Sequence, residues 1–392
     1  MVESHGVGGL CHYTYNLCNA LSNYYEDIVL VTTKKYELED FKINFKIEKL
    51  LEYDMRYFNP EKLLKYNLKY PKSFIKLLIY FTYERPAIIH FQNLIPPLVI
   101  SYAFLILIKM LCGNHSTLLL TAHDVLPHDI KFYHRYISKL IYKLMDGVIV
   151  HSEHSRRELI GLFGIEPTEV HVIPHGDYFF FRYGNTVSLE SARKKLCLPS
   201  GSLIVLFFGF IMRYKGLDYL LEAFRKVKNV VPNVKLVIAG KPIENFSRYS
   251  ALINKLNLMD DVFLFLQYIP FRDVEYFFTS SDVVAIPYVK TYQSGIIMLA
   301  YSFNKPVVST ETGGVSEIVV NGETGYVVPP KDVQALANAL IDILSTQDRA
   351  VMGENAKKIV ENSYSWSNVA RETLKLYSRF IHERGELSSC DE

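Results

Sequence analysis

The sequence predicts an α/β protein built from two doubly wound domains, and three observations carry that prediction. Short β-branched runs alternate with amphipathic stretches along the whole chain. The runs are apolar on both faces, as strands of a parallel sheet covered on both sides must be. The alternation breaks once, in the polar segment Gly176–Ser202, and then starts afresh, so two sheets are expected. A length of 392 residues suits two domains with an appended element. The expected layout is a first domain over 1–185, a second over 186–364, and a final helix and tail over 365–392.

In chain order, the first series of strands is Ile28–Thr33, Ala87–Phe91, Leu118–Thr121, Gly147–His151 and Val170–Ile173. The second is Leu203–Phe208, Lys235–Ala239, Val262–Phe265, Val283–Ile286, Val307–Ser309 and Gly325–Val328. Helical apolar spacing marks Leu217–Val230 and Arg272–Ser280, and Tyr13–Asn23 reads as the first helix. A glycine turn, Gly6-Val7-Gly8-Gly9, stands where a first strand should have just ended. Such a domain places that strand centrally, and Met1–His5 falls short of the usual strand of about five or six residues plus its turn. The natural protein is therefore expected to begin upstream, with about five to ten further β-branched residues.

Composition narrows the function. Apolar residues are 49% and charged residues 21%, globular values that exclude a disordered or collagenous chain. A net charge of +2 provides no global field for nucleic acid. Five cysteines without a C-x-x-C pair fit a reducing, cytoplasmic setting better than a disulfide scaffold or a structural zinc site. The longest apolar run, Leu98–Ile108, is well short of the roughly 18–20 residues needed to span a bilayer. There is no G-x-x-x-x-G-K-[ST], G-x-S-x-G, H-E-x-x-H or Asp-x-Asp, so ATPase, serine hydrolase and zinc protease chemistry have no anchor. No metal is expected.

Three segments carry candidate chemistry. After the strand LIVLFF comes Gly209-Phe-Ile-Met-Arg213-Tyr-Lys215-Gly216. Two cations in a glycine-bounded loop suit a diphosphate, with Arg as a bidentate fork and Lys as a point charge; a solvated basic loop reads the same. Tyr292-Gln293-Ser294-Gly295-Ile296 opens an apolar helix whose first N–H groups are free for phosphate or sugar oxygens. The turn at Gly6–Gly9 is either a plain sheet-to-helix turn or an anion-facing helix N-terminus.

Together these segments resemble a family-4 retaining glycosyltransferase of the two-domain GT-B type. The resemblance rests on FFGFIMRYKGLDYLLEAF, YQSGIIMLAYSFNKPVVSTETGGVSEIV and NGETGYVVPPKD in the second half. In the first half it rests on GVGGLCHYTYNLCNAL, LTAHDVLPHD and VIVHSEHS…VHVIPHGDY. It implies two Rossmann-like domains facing a cleft that holds a nucleotide-sugar donor, with the C-terminal helix crossing back to the first domain. Carried over by residue, it puts Arg213 and Lys215 on the diphosphate and Gly8 and Gly9 near phosphate or donor sugar. His123 would bond the sugar or the diphosphate, following a strand at its C-terminal end. Gly209, Gln293, Ser294, Gly295, Ile296 and Glu317 would complete the donor site. His128, His151 and His175 are similarly polar and cannot be ranked.

The chain departs from the family's pattern in one place. Two glutamates eight positions apart usually flank the Ser-Gly helix, yet no Asp or Glu occurs between Asp282 and Glu311. Counting from Pro306 puts Thr291 and Leu299 there, and counting from Gln293 puts Tyr301 second. Gln293 keeps hydrogen-bonding capacity toward a sugar hydroxyl. The expected activity is transfer of a sugar from a nucleotide diphosphate to a glycan or lipid-linked acceptor. A silent partner subunit, or a phosphorylase or epimerase on the same fold, is the alternative.

Charge is unevenly spread. Met55–Met145 holds twelve Lys or Arg against four Asp or Glu, and Lys69, Lys72 and Lys76 are interleaved with aromatics. This region is either a solvated face or a patch that docks an anionic membrane surface from the cytoplasmic side.

Overall fold

The structure, a computed structural model, describes every residue except 53–68, 95–97, 114, 127–131, 183–186, 293, 384 and 386–392, and it leaves the side chains of 69–71 and 132 undescribed. The chain divides into two compact units, Met1–Gly176 with Trp366–Glu392, and Asp177–Ser365.

The first unit has strands β1 (Val29–Thr33), β2 (Lys46–Leu51), β3 (Ile88–Phe91), β4 (Thr117–Thr121), β5 (Gly147–Val150) and β6 (Val170–Val172). All of their pairings are parallel. Between β1 and β3 lies Val2, which bridges Val31 on one side and Phe91 on the other. Val2 N–H donates to His90 O at 2.8 Å, Gln92 N–H to Val2 O at 2.8 Å, and Val31 N–H to Met1 O at 2.9 Å. The central slot that Met1–His5 was expected to leave open is thus filled by a three-residue stub. The order is β2-β1-Val2-β3-β4-β5-β6, and it reverses direction at Val2. Strand β2 was not expected: its sequence KIEKLL is half-exposed at the sheet edge and lacks a two-faced apolar signal.

Helices α1 (Gly9–Leu21), α2 (Lys69–Glu84), α3 (Leu98–Cys112), α4 (Phe132–Leu144) and α5 (Glu153–Phe163) cover this sheet. α1 starts at the glycine turn itself, four residues ahead of the expected Tyr13.

The second unit holds α6 (Leu189–Lys195), β7 (Leu203–Phe208), α7 (Leu217–Val230), β8 (Val234–Ala239), α8 (Ser247–Lys255), β9 (Val262–Phe265), α9 (Val274–Ser280), β10 (Val283–Ile286), α10 (Gly295–Ser302), β11 (Val307–Thr310), β12 (Gly325–Val328), α11 (Val333–Ser345) and α12 (Arg349–Ser363). The sheet order is β12-β11-β10-β7-β8-β9, all parallel, with its switch point between β7 and β10. In such sheets ligands bind at the strand C-termini beside the switch point. α7 shows why the sequence folds this way: Leu217, Leu220, Leu221, Phe224 and Val227 fall on one face at helical spacing, and all are fully buried. Each contributes roughly 1.5–3 kcal/mol against solvent.

The last helix, α13 (Trp366–Glu383), belongs to the first unit and packs along α1. Val369, Ala370 and Leu376 join Tyr13, Leu17 and Leu21 in one core cluster. Trp366 lies on Gly176, where an added Cβ would meet the indole at 2.3 Å. Tyr377 Oη closes the contact by bonding His90 Nδ1 at 2.6 Å.

Candidate functional site

The second unit gathers its predicted residues around the switch point. β7 ends at Phe208, and Gly209 turns the chain at φ 102°. A Cβ at Gly209 would stand 2.8 Å from Lys215 Nζ, so glycine leaves the room that the ammonium fills. Gly216, at φ 67°, fits against Pro287 O, which a Cβ would approach to 2.0 Å. Val289 N–H donates to Tyr214 O at 2.7 Å. The loop after β7 is thereby pinned to the loop after β10.

Lys215 is only 7% exposed and lies 5.4 Å over the Tyr288 ring, with no carboxylate partner among the described residues. Arg213, at the start of the same short turn, is exposed and makes no ion pair among the described residues. A buried ammonium without a counterion is costly, and an anionic ligand removes that cost.

Across the switch point, Ser294 caps α10 without accepting from it, and its buried Oγ has no hydrogen-bond partner among the described residues. Gly295 follows, where a Cβ would come within 3.1 Å of Tyr178 Oη, and Ile296 is partly exposed. Gly313, at φ 59°, lets the loop after β11 close onto Tyr292 O, which also accepts from Gly314 N–H at 3.1 Å. The exposed Glu317 ends the short turn that follows. Gln293 lies outside the described residues. At the positions where paired glutamates were sought, Thr291 and Leu299 are buried; Tyr301 is fully buried, with Oη 2.7 Å from Thr324 Oγ1. Tyr301 is therefore a core residue and supplies nothing to a sugar.

In the first unit the glycine turn follows the central stub, but its N–H groups are largely engaged. Gly6 N–H donates to Glu3 Oε2 at 2.9 Å, and Gly8 N–H donates to Glu37 Oε2 at 2.8 Å. Glu37 also meets His12 Nε2 at 3.1 Å, and Glu3, fully buried, accepts from Thr32 Oγ1 at 3.0 Å. The expectation that Gly8 offers its N–H to a phosphate is corrected: a carboxylate of the chain already occupies that place. Gly9, the first residue of α1, remains exposed.

His123, two residues past β4, joins a cluster that the sequence did not reveal. The Tyr13 ring stands 4.7 Å from His123, 5.2 Å from His151, 4.9 Å from His175 and 5.2 Å from Trp366. His151 Nε2 is 3.0 Å from His123 Nδ1, and His151 Nδ1 is 2.9 Å from Ile173 O. Burial, reinforced by neighbouring imidazoles, holds His123 well below the usual histidine range and His151 at about 3; burial alone takes His175 to about 4. All are neutral at pH 7. His90, also held near 3 by burial, ties β3 to α13. His128 lies outside the described residues.

Comparison with known proteins agrees with this architecture. The family described as Glycosyltransferase Family 4 matches residues 7–176, and Glycosyl transferases group 1 matches 189–359. Together the two matches span most of the chain, and its fold is that of the GT-B glycosyltransferases. It is 30% identical over 213 residues to a D-inositol 3-phosphate glycosyltransferase of Corynebacterium urealyticum, covering 53% of this chain and 50% of that one. It is 31% identical over 244 residues to its namesake from Gordonia bronchialis, covering 60% and 52%. The chain thus spans about half the length of these curated relatives. Among solved structures, sucrose-phosphate synthase from Thermosynechococcus elongatus superposes with a TM-score of 0.78 at 22% identity, covering 97% and 96% of the two chains. Anabaena HepE, in complex with UDP and glucose, gives 0.76 at 19%, covering 96% and 98%. These two likenesses define the fold.

Proposed function

We propose that this chain transfers a glycosyl group, with retention, from a nucleoside diphosphate sugar to a hydroxyl of a glycan or lipid-linked acceptor. The observation that carries the reading is Lys215, buried at the switch point, which like Arg213 in the same turn has no carboxylate partner among the described residues. That HepE is described with UDP supports a nucleoside diphosphate as the leaving group. The bond from the anomeric carbon to the diphosphate breaks, the acceptor oxygen bonds the same face, and its proton passes to the departing phosphate oxygen. Arg213 and Lys215 stabilise the negative charge as it develops, the contribution expected to dominate such a reaction. Ser294 Oγ and the first N–H groups of α10 hold donor oxygens; Gly209, Gly295, Ile296 and Glu317 shape the same pocket wall, and Gln293 is assigned to the sugar. The residues of this chain do this work without a metal.

The acceptor is proposed to lie at an anionic, cytoplasm-facing membrane surface. Ile75, Ile79 and Tyr83 form an exposed stripe on α2 beside the exposed Lys72, and α3 adds exposed Val99, Leu107 and Met110. An apolar stripe flanked by a cation suits an anionic headgroup layer. Among the described residues no helix is long and apolar enough to cross a membrane.

Incubation with a panel of nucleotide sugars, with and without acceptor extract, tests the reading. Release of nucleoside diphosphate from one donor and a product of unchanged anomeric configuration are expected. An isomerised free sugar nucleotide would mean an epimerase, and an inverted product would refute retention.

A further inference from the structure

The two loops that flank the switch point of the second sheet carry a surplus of positive charge. Residues 209–216, after β7, hold Arg213 and Lys215, and residues 287–294, after β10, hold Lys290; neither segment contains an Asp or Glu. The loops form one wall, because Val289 N–H donates to Tyr214 O at 2.7 Å and Lys215 lies over the Tyr288 ring. None of the three cations has an ion-pair partner among the described residues. The next carboxylates along the chain stand outside these loops. Asp282 pairs with Arg193 ahead of β10, and Glu311 and Glu317 follow β11.

Lys290 is exposed, with Nζ 5.8 Å from the Tyr292 ring, on the approach to α10. The head of that helix is not neutralised either. Its first turn has no acidic residue, and its cap Ser294 makes no side-chain bond to it. Ser294 is only 4% exposed, and its Oγ has no hydrogen-bond partner among the described residues. A buried hydroxyl and the positive end of a helix both favour an anion that accepts their hydrogen bonds.

A diphosphate esterified at both ends carries two negative charges, which Arg213 and Lys215 match. Lys290 and the head of α10 are left over. We infer that the donor sugar bears one further negative charge, a carboxylate held by Lys290 and the head of α10. The donor is then a nucleoside diphosphate uronic acid, an assignment that rests on the sugar transfer proposed above. Charge decides the group. A carboxylate adds one negative charge at neutral pH and offers two oxygens, one to the ammonium and one to Ser294 Oγ and the helix N–H groups. A phosphorylated sugar would add about 1.5–2 charges and exceed the cations present. A neutral sugar would leave Lys290 unmatched.

Calorimetric titration of the full chain with UDP, with UDP-glucose and UDP-glucuronate, and with the corresponding galactose and galacturonate pair tests this. UDP is the starting nucleotide because HepE is described with it. In the wild type, one uronate donor should bind at least about tenfold more tightly than its neutral counterpart, the effect of a charge-assisted hydrogen bond. Raised salt should shrink that preference, since Lys290 is exposed. In Lys290→Gln, which keeps most of the reach but not the charge, the ratio of uronate to neutral donor should fall close to one. Equal binding within both pairs, or a preference untouched by Lys290→Gln, overturns the uronate assignment. If UDP binds in that case, the proposed transfer still stands; if neither UDP nor any donor binds, both fall.

Discussion

His123 follows a strand at its C-terminal end within a recognisable motif, whereas the residues it packs with carry no local signal. His151 lies 28 positions away and Ile173 a further 22, so nothing local announces the cluster. Glu37 was missed for the same reason: it meets Gly8 across 29 residues, and only the folded turn brings a carboxylate to that N–H. The histidines also make a prediction possible. All twelve fall within the first unit, and none lies in 177–365. His90, His151 and His175 have folded-state values lowered to about 3–4, so protonation favours the unfolded chain. Their contribution is complete above the unfolded value of about 6.5 and is lost as pH falls from there through about 4. Thermal unfolding followed between pH 7 and 5, with Trp366 fluorescence reporting the first unit, should show that unit losing stability while the second changes little. Equal losses in both would show that the cluster is not neutral in the folded state.

At the scale of elements, all eleven expected strands agree with the structure to within one residue at each end, because apolar runs on both faces are a strong signal. The polar edge strand β2 and the three-residue stub at Met1–Glu3 escaped, since both are set by neighbours rather than by their own pattern. The basic patch is narrower than its sequence suggests. Lys76 Nζ pairs with Glu52 at 2.6 Å, and together with Lys34 it holds the Glu52 carboxyl down to about 2. Lys109 pairs with Asp146, and the Lys69 side chain lies outside the described residues. α2 therefore presents Lys72 and the stripe Ile75, Ile79, Tyr83 rather than a row of free cations. Replacing Ile75 and Ile79 by Glu should weaken sedimentation with phosphatidylglycerol vesicles several-fold, since about 0.8 kcal/mol is lost per CH₂ no longer buried. Lys72→Glu should weaken it in a salt-dependent way. Undiminished binding in both variants would reduce the stripe to an ordinary surface.

At the scale of the whole molecule, each sheet places a loop at its switch point, and in the second unit the loops there carry Lys215, with no ion-pair partner, and Ser294 Oγ, with no hydrogen-bond partner, among the described residues. The two-domain organisation was plain in the sequence because the alternation of strands restarts after a polar break. The site was half legible: the Arg213–Lys215 loop was conspicuous, while the burial of Lys215 depends on Tyr288 and on the space above Gly209. The absence of acidic residues between Asp282 and Glu311 makes these cations the centre of the account. The most direct test is calorimetric titration of the full chain with nucleoside diphosphates, repeated on Lys215→Met and Arg213→Ala. Replacing an unpaired buried ammonium by an apolar chain of similar length should leave the melting temperature unchanged or higher. One nucleoside diphosphate should bind the wild type, and each variant should bind it at least about tenfold more weakly, the loss of a charge-assisted hydrogen bond. Equal binding by all three proteins, or none by the wild type, would contradict the assignment of the diphosphate to this loop.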